Sequence, residues 1–355
     1  MANSQFPWNQ VNTMVQDYII PTIRDQVFLS NAMFMRMKGK TKHFTGGRRI
    51  VVPLGWRTQG GLKWFSGSDV FSPIVRDPFQ AAEFTAKNAN VDLTIDWESE
   101  MIASGPEKVM DLMDAKGEWA RNTFFDGMGS DIYNDGTDPK ALGGLQFALA
   151  EGAGGGDLPP TQTYGGISRS NTVNTWWNHH SRNTAVLTTG DRGTFLTNAA
   201  VAPEQPLMTF AEPNRMFARI KLASGKAPTM ILSNVGAWTD VHWNLVRNER
   251  YNRPQQNSDL FKAGFENFMF RSAAWVQDEK APRTTDANKD EKVYFIHEPA
   301  VRLHVDSRAD FAFEPFRKPH NQMVRVAYIL WRGEFIISEP RSCGVIARVR
   351  TSTVS

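Results

Sequence analysis

The chain has 355 residues, 41% of them hydrophobic and 11% aromatic, which excludes a largely disordered protein and allows two units with cores of their own. A net charge of +3 conceals an uneven distribution: residues 1–76 hold ten Lys/Arg against three Asp/Glu, and residues 77–139 hold four against fourteen. No apolar run approaches the ~20 residues of a membrane helix, the N-terminus lacks the basic-then-apolar layout of a signal peptide, and Cys343 as sole cysteine excludes an intrachain disulfide or a cysteine-based zinc site.

In chain order, residues 1–45 begin polar and continue as an amphipathic stretch interrupted by Pro21. This predicts short helical pieces forming an arm that needs another surface to lie on. Two strand-like runs, 48–56 and 62–71, flank Gly60-Gly61 and predict a β-hairpin decorated by Arg48, Arg49, Arg57, Lys63 and Trp64. A lone two-stranded hairpin is marginal in water, so something else should cover it. Residues 79–104 read as extended strand, with Val91, Leu93, Ile95 and Trp97 alternating against Asp92, Thr94, Asp96 and Glu98.

The strongest signal is the stretch 104–136. Ser104 and Glu107 form a capping box, Pro106 sits in the first turn, and Asn134-Asp135-Gly136 supplies a stop. Between them Val109, Leu112, Met113, Ala120, Phe124, Met128 and Ile132 recur near the helical period, while Asp111 and Asp114 fall among the charged residues of the other face. About 30 residues at ~1.5 Å each predict a rod roughly 45 Å long. Residues 137–210 are rich in Gly, Thr, Asn and Pro and read as loops and a boundary to a second unit. A helix over 213–224, a buried strand in 227–234, a helix over 235–252 and a strand in 265–282 then predict an α/β segment, and 293–350 is mostly β. There is no internal repeat.

The catalytic screen is largely negative, with no GxxxxGK[ST], HExxH or GxSxG. Gly152–Gly156 lacks a preceding buried strand. Asp286, Asn288 and Asp290 lack the turn glycine of a calcium loop, and His297 stands where its bidentate Glu belongs. His179-His180 are adjacent histidines without further ligands. Lys63 near the hairpin tip has the chemistry for an isopeptide bond to an Asn of another copy, but a charged contact with an acidic neighbour is the simpler reading. No cofactor or metal is expected, and no enzyme.

The order of these elements resembles that of the major capsid proteins of tailed bacteriophages, the Hong Kong 97-type family, over about residues 15–350. The apolar arm resembles the family's N-arm, GGRRIVVPLGWRTQGGLKWFSG its extended loop and 107–134 its spine helix. TYGGISRSNTVNTWW (163–177) is similar to a YGGI-R-S…W signature opening the second unit of many members. The resemblance implies an α+β fold divided into an arm (1–45), an extended hairpin loop (46–80), a peripheral domain with the spine helix (81–145), an axial domain (146–299) and strands returning to the peripheral domain (300–355). It implies a non-enzymatic shell protein forming hexamers and pentamers around double-stranded DNA, located in the virion and assembled in the host cytoplasm. Implied partners are further copies of itself, a separate scaffolding protein, a portal protein, packaged DNA held non-specifically and a decoration protein, with no membrane. The charge split then suggests that the basic Arg48, Arg49, Arg57, Lys63 and Trp64 of one copy meet Asp92, Asp96, Glu98, Glu107, Asp111 and Asp114 of the next. The stretch 178–206 is longer than the family's minimal pattern and has no assigned role. Alternatives are an encapsulin-like shell around protein cargo and a nucleic-acid-binding protein using the basic N-terminus.

Overall fold

The computed structural model describes residues 32–38, 40–56, 64–70, 79–102, 106–152, 160–183, 211–247, 267–282, 291–320 and 322–349. The first half contains helix α1 (Ala32–Lys38), strands β1 (Lys42–Phe44), β2 (Arg49–Gly55), β3 (Phe79–Thr85) and β4 (Lys87–Asp96), and helices α2 (Trp97–Ile102), α3 (Pro106–Asp131) and α4 (Leu145–Ala148). Strands β5 (Thr163–Tyr164) and β6 (Ile167–Ser168), a 3-10 helix (Thr172–Trp177) and β7 (His180–Asn183) lead to an α/β segment. That segment comprises α5 (Ala211–Ser224), β8 (Met230–Ser233), α6 (Val235–Arg247), β9 (Asn267–Phe270) and β10 (Ala273–Gln277). Strands β11 (Glu291–Ile296), β12 (Val301–Asp306), β13 (Ala312–Arg317), β14 (Val324–Ile337) and β15 (Gly344–Val349) complete the chain.

The predicted hairpin pairs differently from expectation. β2 is antiparallel not to 62–71 but to β3, from Arg49 opposite Thr85 to Gly55 opposite Phe79. Residues 64–70 form no strand; Ser66 and Asp69 close a turn by N–H to carboxylate and N–H to carbonyl bonds of 2.9 Å each, and this local chemistry outweighs the apolar character of the run. Gly60-Gly61, Arg57 and Lys63 lie outside the described residues. The predicted strand 79–104 is likewise three elements. β3 belongs to the β2 ribbon and β4 to a larger sheet, and Asp96 ends β4 by accepting the Ser99 N–H at 3.2 Å, as a helix cap for α2.

The long helix matches its sequence closely, running 26 residues with Ala120, Phe124 and Met128 buried. Its end is fixed from outside: the Leu145 N–H reaches the Ile132 carbonyl at 2.6 Å and the Phe147 N–H reaches the Asn134 carbonyl at 3.1 Å. The capping box at Ser104 lies outside the described residues.

Two sheets carry the core. The six-stranded sheet runs β7-β15-β11-β8-β10-β9 and is buried on both faces. Leu232, Val276, Tyr294 and Val345 point into the main core, while Ile231, Trp275, Phe295 and Ile346 point into a second cluster closed by Met216, Phe217 and Ile220 of α5 and Ala237 and Val241 of α6. The five-stranded sheet runs β1-β12-β14-β13, with β4 on β14's other edge. β14 is its spine: 14 residues long, it pairs with β4 along Val324–Gly333 and with β13 and then β12 on the opposite side. The odd-numbered residues Leu93, Ile95, Ala327 and Ile329 face the core, where Phe124 of α3 meets Phe311 edge to face at 5.4 Å.

Gly333 sits where β4, β12 and β14 meet. A Cβ there would stand 2.6 Å from the His304 carbonyl oxygen, which the sheet holds in place, and 2.7 Å from the buried Trp331 ring. Gly333→Ala is therefore expected to destabilise the subunit by about 1–3 kcal/mol, read as a lower denaturation midpoint in urea with an unchanged slope.

Candidate inter-subunit surface

The β2–β3 ribbon is held at its root from several sides. The signature TYGGISRS…WW makes one of these anchors. Gly165 and Gly166 turn between β5 and β6 with φ of 60° and 76°, conformations that favour glycine. Gly165 also lies against the ribbon: a Cβ there would meet the Phe84 ring at 2.8 Å, and its carbonyl accepts the Glu83 N–H at 3.0 Å. The Tyr164 ring packs edge to face on Phe84 at 5.1 Å, its hydroxyl accepts the Ile337 N–H at 2.9 Å, and its carbonyl accepts the Trp177 indole N–H at 2.9 Å. Arg169 stacks on the same ring at 4.7 Å and donates to the Ala148 carbonyl at 2.8 Å. Trp56 stacks on Trp176 at 5.5 Å. A further anchor is ionic. Arg332 donates to buried Asp306 at 3.1 Å and to the Gly47 carbonyl at 2.8 Å, tying the chain just before β2 to the five-stranded sheet. The Asp306 carboxyl is held below the usual carboxylate range, first by the Arg308 backbone N–H and then by the two guanidinium groups.

Residues 64–70 are solvent-exposed and place three apolar side chains in water: Trp64 is 91% exposed, and Phe65 and Val70 are exposed as well. Of the predicted basic residues, Arg48 is exposed, whereas Arg49 forms an ion pair with Glu83 across its own ribbon. Arg57 and Lys63, six residues apart, lie outside the described residues.

The predicted acidic residues fall on three elements. Asp92 and Asp96 project from the outer face of β4, and Glu98 is exposed on α2. Asp96's carboxyl is kept below its usual range chiefly by hydrogen bonds from Ser99, so its first role is local. Glu107, Asp111 and Asp114 lie in the first half of α3, where their spacing places them on one stripe. Sequence reasoning missed the apolar members of this surface. Tyr328, directly opposite Asp92, is 42% exposed, Met323 and Trp119 are exposed too, and Trp97, which the strand alternation grouped with the inward Val91, Leu93 and Ile95, instead opens α2 and is exposed. The signal was available for Trp119, which stands between Glu118 and Ala120 one position off the buried stripe of α3.

Beneath the ribbon root lies a cavity of about 350 Å³ lined by Glu83, Phe84, Lys87, Gly143, Tyr164 and Glu334 among others. Glu334 is buried and accepts the Gly143 N–H at 2.9 Å and the Phe335 N–H at 3.2 Å. Burial pushes its carboxyl up to about 7, against the pull of these N–H groups and of Lys87. His179 is buried with Nε2 bonded to the Ala150 carbonyl at 2.7 Å, and no group of three His, Cys, Asp or Glu suited to a metal occurs among the described residues.

No protein-family model and no curated protein matches the sequence. Solved structures do. A chain of the cyanophage A-1(L) capsid asymmetric unit aligns at 15% identity and a TM-score of 0.63, covering 92% of this chain and 94% of the other. The fold is the Hong Kong 97-type capsid fold. The holo-SrpI encapsulin complex from Synechococcus elongatus PCC 7942 aligns at 10% identity and a TM-score of 0.51, covering 91% and 90%. The capsid of a native GTA particle aligns at 8% identity and 0.51, covering 88% and 89%. In a Hong Kong 97-type fold a long helix such as α3 is the spine helix, and a ribbon such as β2–β3 belongs to the extended loop.

Glu334 sets a pH dependence of known sign. Its folded-state pKa of about 7 lies above the ordinary 4.5, so the stability it confers is full below pH 4.5 and is lost as pH rises to about 7. His304, opposite Glu334 across β12 and β14, is held at about 4 by burial, Lys42 and Arg302, and stays neutral over most of that window. Glu334→Gln retains an acceptor for the Gly143 N–H. It is expected to be more stable than the unaltered chain by about 1–3 kcal/mol at pH 8 and no more stable at pH 4.5, measured by urea denaturation at each pH.

Proposed function

We propose that this chain is the major capsid protein of a tailed bacteriophage. It assembles into hexamers and pentamers that build an icosahedral head around double-stranded DNA. The observation that carries this reading is the breadth of the structural match, which takes in 92% of this chain and 94% of a cyanophage capsid subunit. The surface chemistry supports it. An isolated monomer has no use for an anchored ribbon whose far end exposes Trp64, Phe65 and Val70, whereas a neighbouring copy would bury them. The excess of cations over residues 1–76 complements the larger excess of carboxylates over residues 77–139.

In this reading Arg48, Arg57, Lys63 and Trp64 of one copy lie over Asp92, Asp96, Glu98, Glu107, Asp111 and Asp114 of the next. Arg49 contributes less, because Glu83 already holds it. Exposed ion pairs are worth only ~0–1 kcal/mol each, so the aromatic and aliphatic contacts supply most of the assembly energy and the charges set register and salt sensitivity. A separate scaffolding protein, a portal protein, a decoration protein and non-specifically held DNA are the partners of such a shell. Its site of action is the virion, after assembly in the host cytoplasm.

The encapsulin match, at a TM-score of 0.51, favours a second reading, a shell of the same fold around protein cargo. Nucleic acid against protein in the contents of purified shells separates the two. For the interface itself, Arg57→Glu combined with Lys63→Glu should abolish or strongly reduce closed shells in negative-stain electron microscopy. The soluble subunit should keep its circular dichroism and melting temperature. Normal shells from the double variant would sink the charge pairing.

A further inference from the structure

The cavity beneath the ribbon root holds a carboxylate that the subunit only half satisfies. Glu334 is 4% exposed, and both of its hydrogen bonds, from the Gly143 and Phe335 N–H groups, end on Oε1. Among the described residues Oε2 has no hydrogen-bond or ion-pair partner, and Glu334 lines the cavity. A buried charge without a partner of opposite sign is costly, so a cation brought to Oε2 from outside makes an interaction that folding leaves unmade.

The walls suit an organic cation better than a metal ion. Phe84, Phe147 and Tyr164 line the cavity, with Tyr164 packed edge to face on Phe84 at 5.1 Å and on Phe147 at 5.7 Å, and aromatic π-systems attract ammonium groups. Backbone holds these walls apart: a Cβ at Gly136 would stand 2.3 Å from the Phe147 ring, and one at Gly143 would stand 2.9 Å from Glu334 Oε1. Among the described residues no three His, Cys, Asp or Glu are grouped to hold a metal. The charged lining is Glu83, Asp138 and Glu334 against Lys87. Glu83 pairs with Arg49, and Lys87 donates to the Pro139 carbonyl, while Asp138 is exposed at the rim. A volume of about 350 Å³ is at the small end of ligand sites and admits a short alkyl chain.

We propose that this cavity binds a small aliphatic diamine, with one ammonium on Glu334 Oε2, the methylene stem against Phe84, Phe147 and Tyr164, and the second ammonium toward Asp138. The site belongs to the folded subunit and does not depend on the shell reading. Its lining comes from β3, the turn between β5 and β6, the segment 136–143 and β14, so an occupant joins the ribbon to the five-stranded sheet.

The probe is 1,4-diaminobutane, titrated into the full chain by calorimetry; its ammonium groups stay charged between pH 6 and 8. The titratable groups facing Glu334 are Lys87, Glu83, Asp138, Tyr164 and, opposite it on β12, His304. Burial moves His304 down to about 4 and Tyr164 up, both out of that pH range, whereas Glu334 titrates within it at about 7. About a tenth of Glu334 is ionised at pH 6 and about nine-tenths at pH 8, so the apparent Kd should be about tenfold higher at pH 6. At pH 7 binding should release about half a proton per diamine, read from the difference in heat between phosphate and Tris buffers. Glu334→Gln should weaken binding at pH 8 by about tenfold or more, and the diamine should raise the urea midpoint of the unaltered chain but not of this variant. Undiminished binding by Glu334→Gln, equal binding at pH 6 and 8, equal stabilisation by magnesium chloride, or no binding at millimolar diamine would each overturn the site. If Glu334→Gln does not fold, the pH profile and proton release of the unaltered chain decide.

Discussion

The five-stranded sheet depends on the two-sided pairing of β14 with β4 on one edge and β12 and β13 on the other. A strand paired on both edges leaves no backbone group to water, so its length sets how far a single hydrogen-bonded network extends. Here it extends from Asp96, at the foot of the spine helix, to Ile337, where the backbone N–H bonds the Tyr164 hydroxyl beneath the ribbon. The strand changes character along the way. Its first part alternates between core and surface, and from Gly333 to Ile337 it is buried on both faces. One strand thus serves as a surface layer at one end and as interior at the other. The transition falls at Gly333, where neighbouring backbone leaves no room for a side chain.

That arrangement explains how the ribbon can carry the exposed residues 64–70 without loosening the subunit. The ribbon does not rely on its own pairing, which would be marginal for two strands. It is clamped by Tyr164, Gly165 and Trp176 on one side and by the Arg332 bridge to Gly47 and Asp306 on the other. The anchoring groups are partly polar and buried, so their partners must stay in place or leave costly unpaired charge. Rigidity at the root and apolar exposure toward the tip are compatible because different residues supply them.

Much of this was legible in the sequence, and the misses have physical causes. The spine helix could be read because its periodicity, capping chemistry and proline agree with one another over thirty positions. The strands β8, β10 and β15 were recognisable as apolar runs, since burial on both faces leaves little to alternate. The ribbon partner was misread because Gly60-Gly61 is a strong local turn signal, while the true pairing joins 49–55 to 79–85 across a connection no local rule can span. The buried Glu334 carried no signal either. In sequence it is one carboxylate beside an apolar run, and only the fold brings it over Gly143. The charge segregation was plain, but composition assigns charges to stretches and not to partners, and Arg49 turned out to be held by Glu83 within its own ribbon.

The division of labour between apolar and charged groups bears on reversibility. Closing a shell from many copies requires contacts weak enough individually for misplaced subunits to leave. The exposed groups on this chain meet that condition, because single aromatic residues such as Trp64 and Trp97 are scattered among solvated carboxylates instead of forming one broad apolar face. Each contact buries little, and each ion pair is screened within about 8 Å at physiological salt. In the proposed shell, stability of the whole would come from the number of contacts a closed lattice repeats, while the interior of the subunit, with one sheet buried on both faces, a second buried on its inner face and a clamped ribbon, would supply the fixed geometry that lets weak contacts be repeated in register.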